Sequence, residues 1–166
     1  MFNARRIARL AVFIAIGAVL HWVESLLPAP LPIPGAKLGM ANLITLLAVT
    51  RWGLADGFYV AAGRALLGSL LGGTFGTLTF AMSTSGSVTA ALAMGAMTLL
   101  PLSLIGISVI GALTHNVIQL GVFFLVTGYA GVWVYLPYLI VLALPSGIAI
   151  GVLGLYLTTR YDFAIN

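Results

Sequence analysis

The chain has 166 residues, of which 61% are apolar and only 6% charged, with seven Lys and Arg against three Asp and Glu. Soluble domains carry about a quarter of their residues as charges, which argues against a cytosolic enzyme, and disordered chains are charge-rich and apolar-poor. The absence of Cys removes disulfide scaffolds, thiol nucleophiles and cysteine-built zinc sites, and an integral membrane protein with a single membrane domain, 1–166, remains.

A helix that spans a bilayer needs about 20 mostly apolar residues. Between Pro, Gly and charge punctuation the chain offers six such runs, at about 7–27, 38–51, 54–71, 84–100, 104–127 and 134–157. They predict an all-α integral membrane protein, a six-transmembrane-helix bundle. Strands of a membrane barrel would alternate polar and apolar positions over about ten residues, whereas these runs are continuous.

The first run follows Arg5, Arg6 and Arg9 and so imitates a secretory signal. It extends to Leu27, beyond the usual core of roughly 7–15 residues, and ends in a proline-rich segment with no small-residue cleavage site. A retained helix is expected. Ala4, Ala8, Ala11, Ala15 and Ala18 form one small-residue stripe along it. Such a stripe packs helices within a bundle, and one beginning so near the chain start also suits a partner subunit.

Residues 28–36 place four Pro in seven positions, a stiff extended segment fit to lie across the outer mouth of a bundle. The second run is short for a span. The third carries Gly57, Ala61, Ala65, Gly68 and Gly72 on one face. The Gly- and Ser-rich stretch 72–87 suggests a re-entrant loop, with Thr84 or Ser85 capping the fourth helix. The last run has Gly147 and Gly151 just after Pro145. No internal repeat of the inverted-transporter kind is apparent.

Short loops rich in Lys and Arg stay cytoplasmic. With the N-terminus inside, Arg5, Arg6, Arg9, Arg51 and Arg160 fall on the cytoplasmic side and Lys37 alone outside. Both termini are therefore expected in the cytoplasm of a multi-pass protein in the cell membrane. The net charge of +4 reports topology, and no basic stretch carries the interleaved aromatics of a nucleic-acid surface.

An ionisable side chain within a span is a functional-site hypothesis by default. Arg64 lies near the middle of the third run and shares a face with Ala61 and Gly68. It suits either a buried ion pair with Glu24 or direct contact with a ligand. His115, Asn116 and Gln119 lie together halfway along the fifth run; a lone His fits a hydrogen-bonded bundle residue, but three polar neighbours at one depth favour a site. Lys37 either snorkels to the outer interface or joins that site, and Asn42 either bridges helices or joins it too. Asp56 with Arg51 marks a cytoplasmic turn, and His21 beside Trp22 fits interfacial anchoring.

Catalysis is poorly supplied. The two His lie on different helices, the acids are scattered at 24, 56 and 162, and no Walker motif exists. No metal site or cofactor is expected. Donors at Lys37, Arg64, His115, Asn116 and Gln119 suit a small ligand with an anionic or carbonyl-rich head.

Four stretches carry a family resemblance: Glu24-Ser-Leu-Leu-Pro, Gly35-Ala-Lys37-Leu-Gly39-Met-Ala-Asn42, Arg64-Ala-Leu-Leu-Gly68, and the segment from Gly106 through Ser108, Gly111, His115 and Asn116 to Gln119. Over roughly 10–125 the chain resembles the Gx transporter family, whose members are also labelled heptaprenyl diphosphate synthase component I. That family is similar to the substrate-binding S components of energy-coupling factor importers. The resemblance implies a six-helix bundle with a site near the outer face under the first loop. It also implies an alanine stripe, here Ala8, Ala11 and Ala15, that docks a transmembrane coupling subunit joined to two ATPases, and inward toppling of the bundle with its ligand. The alternative label implies a non-catalytic membrane subunit that assists polyprenyl diphosphate synthesis, with an isoprenoid- or quinone-related ligand.

Overall fold

The computed structural model describes residues 3–27 and 39–160. They form α1 (Ala4–Leu26), α2 (Met40–Trp52), α3 (Leu54–Leu71), α4 (Leu78–Met97), α5 (Leu104–Thr127), a 3₁₀ turn (Ala130–Tyr135) and α6 (Leu136–Arg160). No strand occurs among the described residues.

Local chemistry sets the helix ends. Asn3 starts α1 by accepting the Arg6 amide at 2.8 Å, and Ser103 starts α5 by accepting the Gly106 amide at 3.1 Å. Side-chain oxygens at these positions satisfy amides that have no intrahelical partner. Gly53 alone joins α2 to α3 at φ +90°, with nothing within 4 Å of a would-be Cβ. Its requirement is conformational, because other residues rarely adopt that φ.

The fourth helix differs from expectation. It begins at Leu78, and Thr77, rather than Thr84 or Ser85, caps it by accepting the Phe80 amide. The stretch 72–87 is therefore no re-entrant loop: the link is 72–77, turned by Gly73 and Gly76 at positive φ. Ser83, Gly86 and Ser87 lie buried inside the helix. Small residues taken as chain breaks are here contact residues, because they let helices approach closely. Elsewhere the expected bounds hold to within a few residues.

The short second helix is explained by its position. It touches all five other helices, and Leu43 through Val49 are buried without a break. A helix apolar all round belongs inside. At 13 residues it is about 20 Å long, less than the roughly 30 Å of a hydrocarbon core. Around it α5 packs on α4 and α6, and α1 packs on α3. Four segments are long and apolar enough to cross a membrane: α1, α3, α5 and the continuous stretch Ala130–Arg160. The protein is thus a helical membrane protein in length and composition.

Glycines seat the outer helices. A Cβ at Gly147 would lie 2.8 Å from the Val109 Cα, and one at Gly151 would lie 2.6 Å from the Ile105 Cα. The Gly147–Gly151 pair therefore serves packing of α6 on α5. The α3 stripe of Gly57, Ala61, Ala65 and Gly68 is buried likewise.

One end of the bundle gathers Arg5, Arg6, Arg9, Arg51 and Arg160, at the start of α1 and the ends of α2 and α6. Across the Gly53 turn from Arg51 stands Asp56. It accepts from Arg6 Nε at 2.8 Å and Arg9 at 2.9 Å, while Arg51 donates to the Thr158 carbonyl at 2.9 Å. Arg9 also lies over the Trp52 ring, 4.2 Å from its centroid. These contacts tie α1 to α3 and α2 to α6.

Candidate functional site: a polar cavity shared by six helices

Ten residues into α3, about 15 Å along its axis, Arg64 is 1% exposed. Its stem passes over Gly17 of α1, where a Cβ would meet its Cδ at 3.0 Å. The head reaches α2: Nε donates to Thr45 Oγ1 at 2.8 Å and a terminal nitrogen donates to Asn42 Oδ1 at 2.6 Å. Asn42 and Thr45 are one turn apart, so a single face of α2 holds the guanidinium.

Glu24 comes from the last turn of α1, 6% exposed. Its carboxylate accepts the Gly39 amide and so sits at the N-terminal end of α2, where the helix dipole favours a negative charge. The ion pairs among the described residues are Arg6–Asp56 and Arg9–Asp56. Glu24 therefore does not clasp Arg64 directly.

Both groups line one internal cavity of about 30 Å³. A buried water needs at least roughly 10–15 Å³, so the space as it stands holds about two, and anything larger enters only where the walls move apart. Every helix contributes to the wall: His21 and Glu24 from α1, Asn42 from α2, Arg64 from α3, Ser83 from α4, Ser108, His115 and Asn116 from α5, and Ser146 from α6. Measured along α1, Glu24 lies 18 residues from Arg6, or about 27 Å. The cavity and the arginine end are thus well separated.

The expected site residues divide. Glu24, Asn42, Arg64, His115 and Asn116 meet at the cavity. Asn116 also donates to the Leu139 carbonyl of α6 at 3.1 Å. Gln119 is off the wall: it is 2% exposed, packs beneath Gly86, and its Oε1 has no hydrogen-bond partner among the described residues. Lys37 lies outside the described residues. Ala8, Ala11 and Ala15 are exposed on α1, whereas Ala18 on the same stripe is 2% exposed.

His21 is the principal correction. It is no interfacial anchor: it is 6% exposed, its ring fills the space above Gly68 of α3, and it lines the cavity. Its spacing of three from Glu24 carried that signal, because residues so spaced share a helix face. Thr45 stood at the same spacing from Asn42. Ser83 and Ser146 carried no comparable signal, since isolated serines are common in packed membrane helices. Among the described residues no three His, Asp or Glu converge to hold a metal ion.

No curated protein and no solved structure matches the chain significantly. A family model described as heptaprenyl diphosphate synthase component I matches residues 13–157. That span contains every residue of the cavity wall, and the chain belongs to the heptaprenyl diphosphate synthase component I family.

Proposed function

We propose that the protein is a ligand-binding membrane subunit of an energy-coupled importer. In this reading all six helices belong to the membrane domain, both termini face the cytoplasm of the cell membrane, and the cavity lies toward the outer face. The observation that carries it is Arg64, a cation held at 1% exposure on the wall of a cavity shared by six helices. Burying a charge inside membrane helices is costly, and such residues mark ligand or ion pathways. The function is binding rather than catalysis.

A separate coupling subunit and two ATPases supply the energy. Exposed Ala8, Ala11 and Ala15 support docking of that subunit. So does an adjoining groove of about 480 Å³ between α1 and α3, lined by Ala11, Ile14, Ala62 and Gly63 among others. Small residues suit close approach of a partner helix.

The family match favours a second reading, a non-catalytic membrane subunit that assists polyprenyl diphosphate synthesis. Affinity purification from the native membrane separates the two. Recovery of ATPases with a membrane coupling protein supports the importer reading. Recovery of a soluble prenyl synthase without them supports the second.

A further inference from the structure

Among the described residues the cavity wall carries one buried Arg and one buried carboxylate that do not pair with each other. Arg64 has five N–H donors, and two of them go to Thr45 and Asn42. The other three have no acceptor among the described residues. Glu24 has about four acceptor positions, and one takes the Gly39 amide. Both face the same space. Left to themselves in a low-dielectric interior, opposite charges on the wall of one cavity gain by direct pairing. Here α2 holds them apart, Arg64 by Asn42 and Thr45, and Glu24 by the amide at its own start.

We infer that the ligand of this cavity carries a neutral or zwitterionic head, with a hydrogen-bond acceptor for Arg64 and a donor for Glu24, and is not a phosphorylated isoprenoid. The inference rests on the ligand-binding reading above and narrows its substrate class. Charge balance decides it. A diphosphate would bring more than one negative charge to a wall on which, among the described residues, Glu24 already offsets Arg64 and the other polar groups are His21, His115, Asn42, Asn116 and serines. A buried charge without a partner is strongly disfavoured. An amino-acid, amide or ureido head instead satisfies both groups at once, and Ser83, Ser108 and Asn116 supply further polar positions on the wall.

Glu24→Gln keeps an acceptor for the Gly39 amide but leaves Arg64 as the uncompensated charge. Arg64→Gln leaves Glu24 uncompensated. The test is thermal denaturation of the purified full-length protein in detergent, titrated with geranyl diphosphate as the anionic probe and geranylamine as the cationic one. A charge within about 4–6 Å shifts its neighbour's titration by about one to three units, and a change of that order in affinity for a charged probe is the scale expected here. Glu24→Gln is therefore expected to bind geranyl diphosphate at least about tenfold more tightly than the wild type, and Arg64→Gln to gain similarly for geranylamine. The inference is overturned if the wild type is stabilised by geranyl diphosphate as strongly as Glu24→Gln is, or if neither variant gains for its probe. Mass analysis of what travels with the wild type keeps the two failures apart. A phosphorylated small molecule sinks the neutral head but leaves a ligand-binding protein, whereas no small molecule at all sinks the reading on which it rests.

Discussion

Gly17 of α1 lies directly against the stem of Arg64 on α3, so that a Cβ at 17 would stand 3.0 Å from its Cδ and 3.1 Å from its Cβ. The space that a missing side chain leaves on one helix is the space through which the cation of another reaches α2. Gly17→Leu is expected to push the Arg64 stem aside, costing about 1–3 kcal/mol as overpacking does. Unfolding in detergent checks the stability, and ligand content after purification is expected to fall with it.

The seam between α5 and α6 is less forgiving. At Gly151 the obstacle is the backbone of Ile105, with the Ser108 Cβ at 3.2 Å beside it. Gly151→Val therefore moves α5 itself, and Ser108 is part of the cavity wall. The expected outcome is a loss of about 2–3 kcal/mol together with reduced binding, while a substitution at exposed Leu153 changes neither. Parallel thermal melts of the two variants read the difference.

Much of this was legible from residue order. Continuous apolar runs gave the helices, and the rarity of charge picked out Glu24 and Arg64. The misplaced start of the fourth helix has a physical cause: Gly and Ser end helices in water but seat them against each other in a membrane bundle. Hence α4 begins at Leu78 and not at 84, and Ser83 and Ser87 are buried within it. His21 was misassigned because Trp22, its neighbour, is an interfacial residue type. Trp22 does point outward at 39% exposure, but consecutive helix positions face different ways. Why Gln119, with Oε1 unsatisfied, sits off the cavity was not readable from its spacing to His115, which places both on one face.

At the arginine end, Asp56 accepts from two guanidinium groups and its side chain is only 4% exposed, while those of Arg6 and Arg9 keep 28% and 19%. Solvent around the arginines softens the loss when the acid is removed. Asp56→Asn is expected to cost about 1–3 kcal/mol, less than the roughly 3–5 of a wholly buried pair. Unfolding measured at low and high salt checks this, the difference between wild type and variant narrowing as salt screens the pairs.

Thr45 is fully buried and accepts from Arg64 Nε at 2.8 Å. Thr45→Val removes that acceptor at nearly constant volume and strands a donor, a loss of about 1–3 kcal/mol. Thr45→Ser keeps the hydroxyl. The serine variant is expected to retain ligand and the valine variant to lose it, as judged by the small molecules recovered from equal amounts of folded protein.

Arg64 as a ligand contact, held at the meeting of six helices, is tested most directly by native mass spectrometry of the purified wild type beside Arg64→Met, with helix content of both checked by circular dichroism. A discrete small-molecule mass on the wild type that is absent from an equally helical Arg64→Met is the predicted result. A wild type that carries no small molecule, or an Arg64→Met variant that keeps the same bound mass, would contradict it.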